Sequence, residues 1–394
     1  MARAETAKLR RGWTTGACAA AAARAAFAAL LTGRFPDPVT IRLPRGEGPS
    51  FPLALAELEG GVARAGIVKD AGDDPDVTHG ALIIAELAWA EPGSGISFRA
   101  GAGVGTVTRP GLPLAVGEPA INPAPRAMIQ GALLDVAEAN GAAFSGGMGP
   151  DVTVTIAIPG GERLALKTMN ARLGIIGGLS VLGTTGIVVP YSCASWIHAI
   201  HRGIDVARAA GLGHIAAATG TTSERALQRL YDLPEHALID MGDFVGGTLK
   251  YLRRRPVARL TLAGGFAKFA KLAAGHLDLH SSRSRVDGAG LARLLAAVGA
   301  DRSAVADAGR SDSAAEILMI AGERQFALAE AVARQAREVA LATLSGRTAV
   351  EVAIVDRAGD VVALVGAHTH SHPSLARLAL TLPSPAGGGG LGRR

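Results

Sequence analysis

Hydrophobic and polar positions follow two different rhythms along the chain. Up to about residue 190, short aliphatic runs are separated by glycine, proline and charged residues, a pattern that predicts strands. Two alanine-rich stretches, residues 14–31 and 123–139, predict helices. We therefore expect residues 1–190 to form an α+β domain, with a mixed sheet and helices on one face. The predicted strands are residues 39–43, 51–58, 62–68, 81–89, 96–99 and a hairpin of 151–158 with 162–168.

After residue 190 the pattern changes to strand, turn and helix in regular alternation. Apolar strands are predicted at residues 214–218, 237–241 and 257–263, each followed by a turn rich in glycine or hydroxyl residues and then by a helix. Such units predict a parallel, doubly wound sheet, and hence an α/β domain over residues 191–366. Ligands bind these sheets outside the carboxyl ends of the strands. Candidate cofactor-binding residues at this edge are Thr219, Gly220, Asp243, Gly264 and Gly265.

Two of these turns also fit ordinary helix caps. Asp243 precedes a predicted helix, and aspartate is a preferred N-cap. Thr221 and Glu224 have the spacing of a capping box. A structural role for Asp243 therefore stands beside the ligand-binding role, in which its carboxylate accepts hydrogen bonds from a ribose or an amino group.

The stretch from residue 167 to 192 is uncharged between Arg172 and His198 and rich in glycine. Glycine and hydroxyl residues are costly within a lipid bilayer, which argues against a membrane span. We expect a buried strand–turn–strand passage in which Gly183 and Gly186 let a ligand approach the backbone. A glycine-rich core crossover without a ligand is the alternative.

An acidic loop lies within the predicted β region, at residues 69–80. Four carboxylates fall within seven residues, and clustered like charges destabilise a fold unless something offsets them. A carboxylate cluster positioned for proton transfer or for a polar ligand is the functional interpretation of this loop. A metal site and a solvated loop are the alternatives, although an EF-hand is excluded by the positions of the glycine and of the closing glutamate.

Two further motifs surround the second predicted helix. The glycines of residues 101–106 resemble a dinucleotide fingerprint, but an extended segment follows them instead of the required helix. Asn122 and Pro123 fit the start of a helix, which places Arg126 in its first turn. Cations are unfavourable at this end of a helix, so Arg126 is expected to have an acidic partner or ligand. The simplest explanation is a salt bridge to the acidic loop.

Composition narrows the class of protein. The 394 residues carry a formal charge of +6 without long basic blocks, which favours an acidic small molecule over nucleic acid. Two distant cysteines, Cys18 and Cys193, argue against a disulfide framework and a structural zinc site, so we expect a cytoplasmic protein with free thiols.

The basic, alanine-rich N-terminus is interrupted by polar residues and by Arg24, unlike a signal peptide. Residues 367–394, which include His368, His370 and His372, are expected to form a disordered tail without a metal site.

Several long motifs, in order from about Leu9 to Val365, together resemble one family. They are residues 11–19 (RGWTTGACA), the acidic loop, residues 111–126 with their VGEPAINP core, and the GTTG of the central stretch. The family is the cobalt-precorrin-5B C1-methyltransferases. Trp13 and Met169 stand where a smaller aromatic residue and phenylalanine are expected.

The resemblance implies methylation of C1 of cobalt-precorrin-5B by S-adenosylmethionine, giving cobalt-precorrin-6A in cobalamin biosynthesis. Cobalt would arrive within the substrate, so no protein metal site is implied. Residues 1–190 would hold the corrinoid, with Asp73, Asp74 and His79 as catalytic candidates. Residues 191–366 would hold the donor. The turn with Gly183 and Gly186 is a second candidate site for the donor. The candidate substrate-binding residues are Thr14, Thr15, Arg109, Asn122, Arg126, Arg172, Thr184 and Thr185.

Arginine suits this substrate, since the corrinoid ring bears many carboxylates and a guanidinium pairs with a carboxylate through two hydrogen bonds. Neither nucleic acid nor a membrane is expected as a partner, and homo-oligomerisation is left open. A non-catalytic carrier of a corrinoid intermediate is the alternative function. A nucleotide-dependent enzyme unrelated to this family is a third, which affinity for ATP or NAD would reveal.

Overall fold

The computed structural model describes residues 9–142, 149–346 and 348–366. The chain divides into two compact units, Met1–Trp196 and Ile197–Arg394. The predicted tail, with His368, His370 and His372, lies outside the described residues. In the first unit the strands are Gly12–Trp13 (β1), Val39–Thr40 (β2), Ser50–Phe51 (β3), Leu55–Glu59 (β4), Val62–Val68 (β5), Leu82–Trp89 (β6), Ile96–Ala100 (β7), Thr106–Val107 (β8), Val152–Ala157 (β9), Ile175–Ile176 (β10) and Ile187–Val188 (β11). Its helices are Thr15–Thr32 (α1), Pro123–Ala139 (α2) and Gly161–Ala165 (α3).

The main sheet of the first unit has the strand order β4-β5-β6-β9-β7. Its pairs are antiparallel except β7 with β9, which is parallel. Inward residues alternate along β6, where Ile83, Ala85 and Leu87 are buried, so one face of the sheet supplies the core. Helix α1 packs on this sheet against β5 and β6, and α2 packs against α1.

Helix α1 is long and apolar enough to cross a membrane, but most of it is buried within the first unit. The Thr14 hydroxyl caps the helix by accepting a hydrogen bond from the Ala17 N–H at 3.2 Å. Gly33 ends it in the left-handed conformation, at φ 74°. The alanines allow close approach to the sheet, so α1 is a core helix of this unit.

The predicted hairpin after β9 is wrong. Residues 161–165 form the short helix α3 instead of a strand. Strand β9 already pairs with β6 on one side and β7 on the other, so no edge is free for a hairpin partner. Gly161 also lies so close to Gly103 that an added Cβ would be 2.3 Å from the Gly103 carbonyl oxygen.

The central stretch also differs from the predicted buried strand–turn–strand. Its two short strands pair with earlier strands rather than with each other: β10 with β8, and β11 with β1. Several of its apolar side chains are exposed: Met169, Ile176, Leu182, Val189 and Tyr191. Ile175, Leu179 and Val181 are buried, so the segment is a connection with one side in the core and the other at the surface.

The second unit contains a five-stranded sheet with the order β13-β12-β14-β15-β16. Strands β13, β12, β14 and β15 are parallel, and β16 is antiparallel to β15. The strands are His214–Ala218 (β12), Leu238–Asp240 (β13), Arg259–Gly264 (β14), Ala349–Val355 (β15) and Val361–Val365 (β16). The helices are Cys193–Ala209 (α4), Thr221–Tyr231 (α5), Val245–Arg254 (α6), Phe266–Ala273 (α7), Gly288–Ala297 (α8), Arg302–Arg310 (α9), Ala314–Ala321 (α10) and Gln325–Leu344 (α11).

Both faces of this sheet are covered. Along β12, Ile215 and Ala217 belong to one buried apolar cluster, whereas Ala216 belongs to a second cluster on the other face. The mixed α/β composition expected from the sequence is confirmed. The predicted capping box at Thr221 is wrong, because α5 begins at Thr221 itself and Gly220 occupies the cap position.

Candidate functional site

In the five-stranded sheet of the second unit, called the second sheet below, the carboxyl ends of the parallel strands form one edge. This carboxyl edge brings together most of the residues predicted to bind the donor. Thr219 follows β12, and its N–H bonds to the Ala263 carbonyl of β14 at 2.9 Å. The ammonium of Lys268, on α7, joins two turns of this edge. Lys268 Nζ donates to the Thr219 carbonyl at 3.0 Å and lies 3.1 Å from Asp243 Oδ1.

Asp243 is not the helix cap that its position in the sequence permits. Phe244 occupies the N-cap position of α6, and no side-chain capping bond is made there. Asp243 Oδ1 is buried and accepts no hydrogen bond of good geometry from the described residues, so Lys268 serves as its counterion. The Asp243 carbonyl accepts from Leu279 N–H at 2.9 Å, which fixes the following loop against this turn.

Sequence reasoning missed Lys268, although a signal was available. It lies in the first turn of α7, where the helix dipole disfavours a cation. The same reasoning identified Arg126 as needing a partner.

The glycines of this edge fall into two groups. A Cβ on Gly264 would lie 2.4 Å from Thr219 Oγ1, so packing requires glycine there. A Cβ on Gly220 or Gly265 would meet no atom within 4 Å. Gly265 has the ordinary extended angles φ −72° and ψ 155°, and Gly220 is also extended, so backbone geometry does not require glycine at either position. Close approach of a ligand to the backbone would account for both.

In the central stretch, by contrast, packing accounts for the glycines. A Cβ on Gly183 would lie 2.3 Å from the side chain of Thr14, and one on Gly186 would lie 2.5 Å from that of Leu43. Both glycines also have positive φ, 122° and 82°. A ligand is therefore not needed to explain these two glycines.

The carboxylates of the acidic loop fasten the loop to other segments. Asp70 pairs with the guanidinium of Arg10 and also accepts the Gly72 N–H at 2.9 Å. These contacts lower the pKa of Asp70 to about 2. Asp73 Oδ2 accepts the Arg10 N–H at 2.6 Å, and Asp74 Oδ1 accepts the Tyr191 N–H at 2.8 Å. Hydrogen bonds and ion pairs thus offset the clustered charge.

An ion pair between a buried lysine and a partly buried aspartate lies at the centre of the same loop. Lys69 is 1% exposed, and its Nζ lies 2.5 Å from Asp76 Oδ2. Asp76 Oδ1 accepts from both the N–H and the hydroxyl of Thr78. Burial opposes ionisation of Asp76, but Lys69 and Thr78 outweigh it, and the pKa of Asp76 is lowered.

His79 is half exposed at the end of this loop. Its Nδ1 accepts the Ala71 N–H at 3.1 Å, so the neutral ring carries its proton on Nε2. Each of the three catalytic candidates therefore retains an atom that these bonds do not occupy: the second carboxylate oxygen of Asp73 and of Asp74, and Nε2 of His79.

The candidate arginines lie in two places in the first unit. Arg109 donates to the carbonyl oxygen of Arg172 at 3.4 Å, so these two residues are neighbours. Arg126 donates to Glu118 at 2.9 Å and to the Ile121 carbonyl at 2.8 Å. The expected acidic partner of Arg126 is therefore Glu118, and the prediction of an ion pair with the acidic loop is wrong.

The candidate hydroxyl and amide residues have mainly structural contacts. Thr14 and Thr15 are buried, and the Thr15 hydroxyl exchanges hydrogen bonds with the backbone of Leu182 at 3.0 and 3.1 Å. Asn122 is the N-cap of α2 by position, but its side chain donates to the Val181 carbonyl at 3.3 Å. Thr184 is exposed, and Thr185 is half-buried.

Within residues 9–142, 149–346 and 348–366, no group of three or more His, Cys, Asp or Glu side chains is placed to hold a metal ion. In the acidic loop, Arg10, Lys69 and backbone N–H groups take the contacts that a cation would otherwise supply.

Comparison with known proteins identifies the family. A family model described as CbiD matches residues 2–190, and one described as CbiD, C-terminal domain, matches residues 278–366. A protein of Paramagnetospirillum magneticum named cobalt-precorrin-5B C(1)-methyltransferase is 58% identical over 355 residues, which cover 90% of this chain and 97% of that protein. A protein of Methylorubrum extorquens with the same name is 59% identical over 335 residues, 85% of this chain and 91% of the relative.

A crystal structure from Archaeoglobus fulgidus, titled cobalamin biosynthesis protein (cbiD), is also similar in sequence. It is 29% identical, the match covers 70% of this chain and 83% of that one, and the TM-score is 0.37. The two family models and the near full-length relatives agree with the resemblance drawn from the motifs. This chain belongs to the CbiD family.

Proposed function

We propose that this protein transfers a methyl group from S-adenosylmethionine to C1 of cobalt-precorrin-5B, giving cobalt-precorrin-6A in the cytoplasmic synthesis of cobalamin. The observation that carries the proposal is the 58% identity to a protein of this name over 90% of the chain. Cobalt belongs to the substrate in this reaction. The competing function is non-catalytic transport of a corrinoid intermediate. A carrier protein of this kind would need no site for the methyl donor.

We further propose a division of labour within the chain, with the corrinoid bound by residues 1–190 and the donor by residues 191–366. The donor supplies an electrophilic methyl group on a sulfonium. The carboxyl edge of the second sheet fits its non-reacting parts, since Gly220 and Gly265 leave the backbone accessible and Asp243 can accept hydrogen bonds from ribose hydroxyls. Holding donor and acceptor carbons in line supplies much of the acceleration of such a displacement.

The corrinoid is a large ring with an apolar face and many peripheral carboxylates. The first unit offers exposed apolar side chains within residues 166–191, and Arg109 beside Arg172 to pair with carboxylates. In this proposal Thr14, Thr15 and Asn122 shape the site by holding the central stretch through Leu182 and Val181. Thr184, Thr185 and Arg126 complete the proposed substrate-binding set.

The reaction is tested by incubating the purified protein with S-adenosylmethionine and cobalt-precorrin-5B. We expect a corrinoid product heavier by one methyl group and an equal amount of S-adenosylhomocysteine. A protein that binds the corrinoid tightly but forms neither product would be a carrier.

Gly265→Thr tests the proposed donor site. Threonine is acceptable at an N-cap, and its side chain enters space that is open in the fold, so we expect the free energy of unfolding to change by less than about 1 kcal/mol. Overpacking a bound ligand costs about 1–3 kcal/mol, which corresponds to a Kd for S-adenosylhomocysteine raised about 5- to 150-fold. Calorimetric titration measures the Kd.

Gly213→Thr is the matched control for this variant. Gly213 precedes β12, at the opposite edge of the same sheet, and its added Cβ would come no closer than 3.9 Å to Ala258. We expect unchanged binding in this variant. Equal affinity of the Gly265→Thr and Gly213→Thr proteins would rule out contact between the ligand and the Gly265 turn.

A further inference from the structure

Lys268 lies at the point where the order of strands in the second sheet reverses. The chain passes from β12 to β13 on one side and then to β14 on the other side of β12. In open α/β sheets such a switch point forms the ligand crevice, between the turns that follow the two strands. Here these turns are Thr219–Gly220 and Gly264–Gly265, and Lys268 Nζ bonds to the first of them from the helix that follows the second.

The ammonium of Lys268 has capacity for a further acceptor. It has three N–H donors, and its contacts within the described residues are the Thr219 carbonyl and Asp243 Oδ1. The side chain is 36% exposed, so it reaches solvent at the crevice. Its place in the first turn of α7 is unfavourable for a cation, and an anionic ligand would relieve that cost.

The charges of this edge distinguish the two polar ends of an S-adenosyl ligand. Asp243 repels a carboxylate and accepts hydrogen bonds from hydroxyl or amino groups. Lys268 attracts a carboxylate, and helices α5 and α7 begin beside it with glycine caps that make no side-chain capping bond.

We propose that Lys268 recognises the carboxylate of the amino acid end of the methyl donor, while Asp243 accepts hydrogen bonds from its ribose. Lys268 is then the residue that makes the site specific for S-adenosyl amino acids over plain adenosine thioethers. This inference rests on the proposed donor site.

The test compares two ligands in the Lys268→Met protein by calorimetric titration. S-adenosylhomocysteine carries the carboxylate, and 5′-methylthioadenosine keeps the adenosine and sulfur without it. We expect the Kd for S-adenosylhomocysteine to rise about 10- to 100-fold, because a hydrogen bond to a charged group is lost. The Kd for 5′-methylthioadenosine should change by less than about threefold, a difference too small to reflect a lost charged contact.

Two further variants control for structural effects. Lys250→Met removes the same charge from an exposed position of α6 and should leave both affinities unchanged. Lys268→Gln can still donate to the Thr219 carbonyl but lacks the charge, so it should keep the turn in place and still weaken binding of S-adenosylhomocysteine more than that of 5′-methylthioadenosine.

An equal loss of both ligands would overturn the proposal, since Lys268 would then act only by orienting Asp243. Unchanged binding of S-adenosylhomocysteine would overturn it as well. If the unmodified protein binds neither ligand, even with a corrinoid present, the donor site itself is wrong, which is a different failure from the loss of selectivity.

Discussion

The Asp76→Ala variant is expected to lose about 3–5 kcal/mol of unfolding free energy, because it leaves the buried ammonium of Lys69 without its counterion. Lys69 is 1% exposed, so in the fold its charge is compensated by the carboxylate rather than by water. The variant also removes the acceptor of the Thr78 N–H and hydroxyl. Urea unfolding of the two proteins at pH 7 measures the difference.

The double variant Lys69→Met/Asp76→Ala distinguishes the cost of an unpaired buried charge from the cost of the other contacts that Asp76 makes in the loop. We expect it to recover much of the lost stability, since no unpaired charge stays buried. Asp73→Ala is the matched control, because Asp73 is exposed in the same loop. If Asp76→Ala destabilises the protein no more than Asp73→Ala, the buried ion pair is not important for stability.

The same ion pair predicts how stability depends on pH. The pKa of Asp76 is lowered in the folded protein, so its contribution is fully present above the unfolded carboxyl value of about 4. It is lost as the pH falls through the lower, folded value. The stability difference between the unmodified protein and Asp76→Ala should therefore shrink below about pH 4 and be constant from there to neutral pH. A difference that grows on acidification would contradict this assignment.

The second large effect is expected in catalysis, for Asp74→Asn. Asparagine keeps an oxygen to accept the Tyr191 N–H but cannot take up a proton, so the fold of the loop is preserved. If Asp74 moves the proton that makes C1 nucleophilic, kcat should fall about 100- to 10,000-fold with little change in corrinoid affinity. Single-turnover assays and direct binding titrations measure the two quantities separately.

Asp73→Asn is the companion variant, because Asp73 makes a similar hydrogen bond to the Arg10 N–H. A loss of kcat confined to Asp73→Asn would assign the proton transfer to Asp73. The two carboxylates have no catalytic role as a base if both variants turn over at the normal rate. His79→Gln then tests the remaining candidate, whose Nε2 is the protonated nitrogen of the neutral ring.

Local patterns predicted the elements of the second sheet closely. Strand β12 has the predicted bounds, because an apolar run followed by turn residues and an amphipathic helix leaves few alternatives. The hairpin after β9 failed because pairing depends on which strand edges are already occupied, which local periodicity does not encode. The exposed apolar residues of the central stretch were misjudged for a similar reason, since hydrophobicity alone does not distinguish a core from a binding surface.

The candidate donor site was predicted only in part. Thr219, Asp243 and the two glycines of residues 264–265 follow from the rule that ligands bind at the carboxyl edge. The contact between Lys268 and Asp243 is visible only in the structure, where Nζ lies 3.1 Å from Oδ1. The structure also shows that Phe244, and not Asp243, occupies the N-cap position of α6. The glycines of the chain look alike in sequence, and only their neighbours in space separate Gly264, which packing requires, from Gly265, which it does not.

The most direct test is a calorimetric titration of the purified protein with S-adenosylhomocysteine, repeated with Asp243→Ala. The proposed site predicts micromolar binding to the unmodified protein and its loss in the variant, in which the ribose acceptor beside Lys268 is removed. Full binding by the variant would contradict a donor site on the second sheet and move it toward the Gly183–Gly186 turn. No binding by either protein, even with a corrinoid present, would contradict the methyltransferase proposal and favour a carrier.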